Sequence, residues 1–133
     1  FADYWSHWIS FDKKTNKLPK IFHINWFRKD NEGKFLWPGF NENLRVLRWI
    51  IDRCDEKINA RETAIGFLPH ACDIDTNDLD ISQQNIDELL SIDENDWIEE
   101  INSIGKYILS FGERVPIELI NEYKKLSKSL DNN

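Results

Sequence analysis

Apolar residues recur at helical spacing over most of this 133-residue sequence. Side chains three or four positions apart lie on one face of a helix, so such a segment can bury an apolar stripe. Only a few short segments have the β-branched and aromatic character of strands, and so few strands cannot form a large sheet. The sequence therefore predicts an α+β chain that is mostly helical. The predicted helices are residues 3–11, 42–57, 82–90, 94–111 and 116–130.

The predicted strands lie in the first half of the chain. Residues 21–27 and 34–37 carry β-branched and aromatic side chains, and residues 30–33 between them have the composition of a turn. We therefore predict a β-hairpin over residues 21–37. Residues 63–68 predict one further short strand. If these strands belong to a sheet, the rest of that sheet lies in a part of the protein outside this sequence.

Composition limits the classes of partner. The chain is 41% hydrophobic and 31% charged, as in an ordinary globular protein, and it has no apolar run long enough for a membrane span. Its formal net charge of −7 repels a nucleic-acid polymer, whereas a local basic group can still hold a single nucleotide. Cys54 and Cys72 are too few for a disulfide framework, which fits a reducing compartment. We therefore predict a cytoplasmic protein with no nucleic-acid polymer and no membrane as partner.

No linker interrupts the sequence, so we predict one unit over residues 1–133. Residues 1–70 are rich in aromatic side chains, whereas residues 71–133 are acidic and helical in pattern. The chain contains no Met and begins within a predicted helix, which suggests a piece of a longer protein. Its last residues, 131–133, are polar and are expected to fray.

The most informative segment is residues 25–43, where aromatic rings crowd between Trp26 and Phe40. Placed on a hairpin and on the loop after it, Phe27 and Phe40 can face each other across a flat slot. A planar base that stacks there gains roughly 1–3 kcal/mol. Asn43 stands where a helix begins, and free backbone N–H groups there can donate to the O6 atom of guanine. The amino group of adenine is disfavoured at the same place.

A structural interpretation competes with this base site. Aromatic side chains usually form a core, and Asn at the start of a helix usually only caps it. Residue type and spacing alone favour this core-and-cap interpretation. A preference for guanine over adenine in binding would distinguish the two.

Other polar residues give no metal-binding or catalytic motif. His70 and Cys72, with Cys54 upstream, lack the spacing and the fourth ligand of a zinc site. Residues 73–84 begin like a calcium-binding loop, but Asp78 replaces the required Gly. No Ser-His-Asp or Cys-His motif is present, so we assign no catalytic residue and no metal ligand to this chain.

A longer match over the aromatic segment resembles a known family. The matching residues are 17–29 (KLPKIFHINWFRK), 33–40 (GKFLWPGF), 42–43 (EN) and 45–47 (RVL), with a weaker continuation through residues 63–69 and the terminal helices. These residues resemble the GTP-dependent phosphoenolpyruvate carboxykinases, and the length of the match makes it far more specific than a short motif. The resemblance implies a carboxy-terminal fragment of that enzyme, within its larger nucleotide-binding domain.

The resemblance also implies an activity and a site. The family converts oxaloacetate and GTP to phosphoenolpyruvate, GDP and carbon dioxide in gluconeogenesis, with manganese or magnesium, usually as a cytosolic or mitochondrial monomer. Its guanine pocket is aromatic, and a phenylalanine-glycine-glutamate-asparagine stretch contacts the nucleotide. The matching positions in this chain are Trp26, Phe27, Phe35, Phe40, Asn41, Glu42 and Asn43. Asn41 replaces the family's glycine, and this change is expected to affect guanine affinity.

The resemblance further implies a limit on this chain. Phosphoryl transfer needs a glycine-rich phosphate loop, which this sequence lacks, and metal ligands, which in the family lie in earlier segments. We therefore expect no carboxykinase activity from residues 1–133 alone, and we expect the rest of the carboxykinase chain as a partner. Two alternatives stay open. One is a stand-alone nucleotide-binding or regulatory module, and the other is an interaction domain whose aromatic residues are only core.

Overall fold

Five α-helices and one two-stranded antiparallel sheet form the regular structure of residues 1–131, the part of the chain that the computed structural model describes. The helices are α1 (Ala2–Ile9), α2 (Asn43–Cys54), α3 (Gln83–Leu89), α4 (Glu94–Leu109) and α5 (Ile117–Asp131), and the strands are β1 (Arg61–Thr63) and β2 (Gly66–Leu68). This confirms a mostly helical α+β fold with a β-hairpin. The predicted fraying of residues 132 and 133 lies outside the described residues. Within residues 1–131, no helix is both long enough and apolar enough to cross a membrane.

Two helices, α3 and α4, begin where a side chain satisfies their free backbone N–H groups. The hydroxyl oxygen of Ser82 accepts the N–H of Asn85 at 3.1 Å, so Ser82 caps the start of α3. A carboxylate oxygen of Asp93 accepts the N–H groups of Asn95 and Asp96 at the start of α4. All five predicted helices are therefore present, and their ends differ from the predicted ends by a few residues.

The chain folds into two compact units. The first consists of Phe1–Pro19 together with the chain from Ile92 onward, and it contains α1, α4 and α5. The second consists of Lys20–Ser91 and contains α2, the β-hairpin and α3. The compositional boundary near residue 70 therefore lies inside the second unit.

In the first unit, α1 packs against α4, and α4 packs against α5. The Trp5 ring meets the rings of Tyr107 and Phe111 edge-on, with centroid distances of 6.3 and 4.9 Å. Gly105 lies on the buried face of α4, directly opposite the ring of Tyr123 on α5. An added Cβ atom at Gly105 would lie 2.5 Å from the Tyr123 hydroxyl oxygen, so the absence of a side chain permits this approach.

The second unit buries a small apolar core around the start and middle of α2. Its most buried side chains are Leu36, Trp37, Trp49, Ile74 and Ile86. The segment before the aromatic residues is tied to the end of α2, because the Lys20 ammonium donates to the carbonyl oxygens of Arg53 and Cys54 at 3.1 and 3.2 Å. Cationic groups favour this end of a helix, where carbonyl groups lack partners.

The spacing of apolar residues predicts that one face of α2 is buried, formed by Leu47, Ile50, Ile51, Cys54 and Ile58. The structure contradicts this prediction for three of them. Leu47, Ile51 and Cys54, expected to point inward, are exposed. The buried residue is Trp49, whose ring meets Phe22 edge-on at 6.1 Å. The helix carries apolar residues on more than one face, so their spacing does not determine which face packs against the described chain.

The hairpin predicted over residues 21–37 is reduced to one bridge between Lys29 and Phe35. The N–H of Leu36 donates to Arg28 at 3.0 Å, and the N–H of Asp30 donates to Lys34 at 2.9 Å. Exposure alternates residue by residue from position 21 to 30, as in a strand, but no described segment pairs with residues 21–27. An extended segment without a neighbouring strand has no ladder of hydrogen bonds, so it is not part of a sheet.

The β-hairpin instead lies within residues 61–68. Arg61 pairs with Leu68 and Thr63 pairs with Gly66, so the single strand predicted over 63–68 is a tight turn followed by the second strand. Gly66 has φ +123°, a conformation that side chains disfavour, and this allows the chain to reverse there. Strands of three residues give too little alternation for a sequence pattern to reveal them.

Candidate functional site

Three phenylalanines of the aromatic segment, Phe27, Phe35 and Phe40, are exposed to solvent and are called here the aromatic patch. Their exposed fractions are 72%, 50% and 87%. The rings of Phe27 and Phe35 lie 6.2 Å apart and are inclined by 64°. The ammonium of Lys29 lies 4.9 Å from the centre of the Phe35 ring. Exposed rings of this size are unlike the core residues that the core-and-cap interpretation requires.

A predicted turn brings Phe27 and Phe35 together. A carboxylate oxygen of Asp30 accepts the N–H groups of Glu32 and Lys34 at 3.0 and 2.9 Å. Gly33, with φ +81°, donates its N–H to the Asp30 carbonyl at 3.0 Å. The turn predicted for residues 30–33 is therefore confirmed, and the bridge beside it places Phe27 and Phe35 on neighbouring stretches of chain.

Arg28 anchors this turn from its opposite side, because neighbouring side chains of an extended segment point in opposite directions. Its guanidinium donates to the carbonyl oxygens of Leu89 and Ser91 at 3.3 and 3.1 Å, and to the Ser91 hydroxyl oxygen at 3.2 Å. Arg61 donates to the carbonyl oxygen of Leu90 at 2.8 Å. Two arginines therefore hold the carboxy-terminal end of α3, and one of them also positions the aromatic patch.

Phe40 reaches its place through a backbone that only glycine adopts readily. Gly39 has φ +130° and ψ −172°, and Phe40 opens the 3₁₀ turn Phe40–Glu42 that runs into α2. No ring-to-ring contact of the described residues involves Phe40. The structure therefore pairs Phe27 with Phe35 and leaves the Phe40 ring free beside the start of α2.

The ring centres of Trp26 and Trp37 lie 6.3 Å apart. Trp37 is buried, and its indole N–H donates to the side-chain oxygen of Asn43 at 2.9 Å. The backbone N–H of Asn43 donates to the carbonyl oxygen of Phe40. One of the backbone N–H groups at the start of α2 that were predicted to donate to a base is thus already paired within the chain, whereas the side-chain amino group of Asn43 is not consumed by either bond.

Glu42 has a structural partner. Its carboxylate lies 2.7 Å from Nε of Arg45, and the same guanidinium donates to the carbonyl oxygen of Asp75 at 3.0 Å. The pair is partly shielded from water, since both side chains are less than one third exposed. Glu42 therefore contributes to the site by holding the start of α2 to the loop around Asp75.

Asn41, which stands where the family has glycine, occupies the 3₁₀ turn before α2. Positive φ outside glycine occurs in the described chain only at Glu56 and Asp78, so the Asn41 backbone is not in the glycine-only region. The backbone reason for a glycine is therefore absent at this position. The exposed side chain of Asn41 is left as the feature by which this substitution can influence a ligand.

Replacing Asn41 with glycine is expected to lower the free energy of unfolding by about 0.5–1 kcal/mol, because glycine gains more freedom in the unfolded chain. Thermal unfolding followed by circular dichroism measures this loss. The matched reverse change, Gly39→Asn, is expected to cost about 1–3 kcal/mol, since its backbone is strained for any side chain. A stabilised Asn41→Gly variant would contradict the ordinary backbone assigned to Asn41.

An open cavity of about 630 Å³ lies elsewhere in the second unit, between α2 and the loop around residues 71–77. It is lined by Arg45, Arg48, Trp49, Asp52, Ala71, Cys72, Asp73, Ile74, Asp75, Thr76, Asn77 and Gln83. Both cationic and carboxylate side chains line it, and Arg45 already pairs with Glu42 and Asp75. Such a lining favours neither an anion nor a flat apolar base, so the aromatic patch is the stronger candidate.

Comparison with known proteins first gives a class. A family model described as "Phosphoenolpyruvate carboxykinase C-terminal P-loop domain" matches residues 1–129, so the chain is similar to the carboxy-terminal part of a carboxykinase. Relatives named phosphoenolpyruvate carboxykinase [GTP] then identify the GTP-dependent family within this class. The relative from Chlamydia pneumoniae is 46% identical over 132 residues, which cover 97% of this chain and 22% of the relative. The relative from Treponema pallidum (strain Nichols) is 50% identical over 121 residues, which cover 89% of this chain and 20% of the relative.

A relative from the archaeon Thermoplasma volcanium is 43% identical over 128 residues, which cover 96% of this chain and 21% of the relative. The chain belongs to the GTP-dependent phosphoenolpyruvate carboxykinase family, as the match over residues 17–47 predicted. It spans about a fifth of the length of these relatives.

Proposed function

We propose that this chain supplies the guanine-binding portion of a GTP-dependent phosphoenolpyruvate carboxykinase, and that the aromatic patch stacks on the base. The observation that carries the proposal is the exposed Phe27–Phe35 pair, which lies on the segment most similar to the family. Rings that stay exposed to solvent do not contribute to a core, and they are available to stack on a planar ligand. Asn41, Glu42 and Asn43, which follow Phe40 in the chain, form the second part of the proposed site.

The local charge at the patch suits a nucleotide better than the net charge of the whole chain does. The net charge of −7 repels anions at long range, but Lys29 places a cation against the Phe35 ring. Each stacking contact contributes roughly 1–3 kcal/mol, so stacking alone corresponds to binding in about the millimolar range. Tighter binding requires phosphate contacts from outside this chain.

The complete reaction, from oxaloacetate and GTP to phosphoenolpyruvate, GDP and carbon dioxide, belongs in this proposal to the larger enzyme. In the same proposal, manganese or magnesium and the chemistry of phosphoryl transfer belong to other segments of the enzyme, and this chain's part is to hold the guanine ring. Within residues 1–131, no group of three or more His, Cys, Asp or Glu side chains is arranged to hold an ion. We propose no carboxykinase activity for the chain alone.

The other partner in this proposal is the rest of the carboxykinase chain, in a monomeric cytoplasmic enzyme. Large apolar side chains are exposed on both units, including Tyr4 and Trp8 on α1 and Leu44 and Ile51 on α2. Exposed apolar surface of this kind usually marks a contact with further protein. If residues 1–133 are a single carboxy-terminal fragment, as we propose, the rest of the carboxykinase chain covers these apolar faces.

Replacing Phe40 with alanine is expected to weaken GDP binding by roughly five- to a hundredfold, because the ring's stacking contribution is lost. NMR titration of the ¹⁵N-labelled chain with GDP and ADP measures both affinities at millimolar concentrations. The wild-type chain is expected to prefer GDP, since the site presents hydrogen-bond donors to the base.

Phe67→Ala is the matched control, because Phe67 is also an exposed phenylalanine of the second unit but lies on β2 beside Arg53. Its GDP affinity is expected to equal that of the wild type. Equal affinities for wild type, Phe40→Ala and Phe67→Ala would remove Phe40 from the site. A wild-type chain that does not distinguish GDP from ADP would contradict the proposed guanine site as a whole.

A further inference from the structure

The hydrogen bond between Trp37 and Asn43 identifies the orientation of the Asn43 amide. The indole Nε1 of Trp37 lies 2.9 Å from the Asn43 side chain. An indole nitrogen only donates, so the amide atom facing it must be the acceptor, which is the oxygen. Trp37 is 6% exposed, so water cannot readily replace this partner.

The same bond determines what Asn43 presents to its surroundings. With the oxygen facing Trp37, the amino group Nδ2 and its two hydrogens point away from the indole. The backbone N–H of Asn43 is already paired with the carbonyl oxygen of Phe40. Asn43 follows Phe40 by three residues, across the 3₁₀ turn Phe40–Glu42 that runs into α2, and side chains at this spacing on helical backbone lie on the same side.

A side-chain donor beside a stacked base discriminates between purines. Guanine carries the acceptor O6 where adenine carries an amino donor. The amino group of Asn43 can donate to guanine O6, whereas it faces another donor in the adenine amino group. Rotation of the amide by half a turn would reverse this preference, but it would also set two donors, the indole N–H and the amino group, against each other.

We propose that Trp37 is a positioning residue that fixes the Asn43 amide as a hydrogen-bond donor and thereby sets the preference of the site for guanine over adenine. The inference rests on the proposed base site. Trp37 does not touch the base in this account and acts through Asn43. Its role differs from a general packing role, because it depends on one N–H group rather than on the bulk of the ring.

Trp37→Phe keeps most of the buried ring and removes the N–H group. The wild-type chain is expected to bind GDP about tenfold more tightly than ADP, and the variant is expected to lose most of this ratio as the amide becomes free to rotate. Inosine diphosphate, which keeps O6 and lacks the 2-amino group, should follow GDP in both proteins. Affinities come from NMR titration of the labelled chain with each nucleotide.

Trp49→Phe is the matched control. Trp49 is also 6% exposed and lies in the same unit, but its indole N–H has no hydrogen-bond partner in the described chain. This variant should keep the wild-type ratio of GDP to ADP affinity. In the wild type, the Trp37 indole N–H signal should exchange slowly with solvent, and Asn43→Ala should abolish this protection.

If Trp37→Phe does not fold, Asn43→Asp tests the positioning role of Trp37 instead. The carboxylate still accepts from Trp37 but carries no amino group, so the indole protection should persist while the GDP preference disappears. A GDP preference that survives Trp37→Phe, or that survives Asn43→Asp, overturns the positioning role and leaves the base site intact. A wild-type chain without any preference overturns the base site, and the role of Trp37 falls with it.

Discussion

Replacing Gly105 with alanine should lower the free energy of unfolding of the first unit by about 2 kcal/mol, because the new methyl group overfills the contact between α4 and α5. The added carbon would lie 2.5, 2.6 and 2.8 Å from the hydroxyl oxygen, Cζ and Cε2 of Tyr123. Alanine normally stabilises a helix interior by about 1 kcal/mol relative to glycine, so the expected sign is opposite to that of helix propensity. Thermal unfolding should show a midpoint lowered by roughly 5–10 °C.

Ser103→Ala serves as the matched control, because Ser103 lies on the exposed face of the same helix. It should leave the midpoint unchanged or raise it slightly. The double variant Gly105→Ala with Tyr123→Leu should recover part of the loss, since the flexible leucine can yield where the rigid ring cannot. If Gly105→Ala stabilises the chain, then α4 and α5 do not pack as closely as the Tyr123 contact requires.

The helices were predictable because the longer ones carry an apolar repeat, and because α3 and α4 have a capping side chain at their start. Asp93 and Ser82 satisfy the first free N–H groups of their helices, and these residues are visible in the sequence. The face of α2 was not predictable. Apolar residues occur on several of its sides, and the choice of Trp49 over Leu47 and Ile51 depends on what the rest of the unit places against it.

The strands show a different limit. The exposure of residues 21–30 alternates as in a strand, yet residues 21–27 lack a pairing partner in the described chain. Strand composition reports a half-buried extended chain and does not reveal where a partner comes from. The hairpin of β1 and β2 was read as one strand because the two strands and their turn together span only eight residues, 61–68.

The residues of the candidate site remain a prediction from the sequence, whereas the structural support of Phe27 and Phe35 could be predicted only in part. The turn around Asp30 uses local hydrogen bonds, so the approach of Phe27 and Phe35 follows from nearby sequence. Arg28 was missed, because its acceptors lie 61 and 63 positions further along the chain. Its one sequence signal is its position between Phe27 and Lys29, where alternation turns it away from the patch.

Arg28→Ala should lower the free energy of unfolding of the second unit by about 2 kcal/mol. The substitution removes a charged donor, so two carbonyl oxygens at the end of α3 and the Ser91 hydroxyl oxygen lose their hydrogen-bond partner. Each lost bond is discounted for partial exposure, so the total stays below the sum for buried bonds. Arg28→Lys should recover less than half, since one ammonium cannot span acceptors that a planar fork reaches together. Urea unfolding and amide hydrogen exchange in α3 measure the loss separately from the first unit.

Arg48→Ala provides the comparison, because Arg48 is an exposed arginine of the same unit whose ion pair with Asp52 is long, at 4.0 Å. Its removal should change stability by less than about 0.5 kcal/mol. Because Arg28 holds the chain between Phe27 and Phe35, Arg28→Ala should also weaken GDP binding while Arg48→Ala should not. If Arg28→Ala matches Arg48→Ala in both measurements, then the guanidinium contacts with Leu89 and Ser91 do not position the aromatic patch, and the turn around Asp30 must hold Phe27 against Phe35 without help from α3.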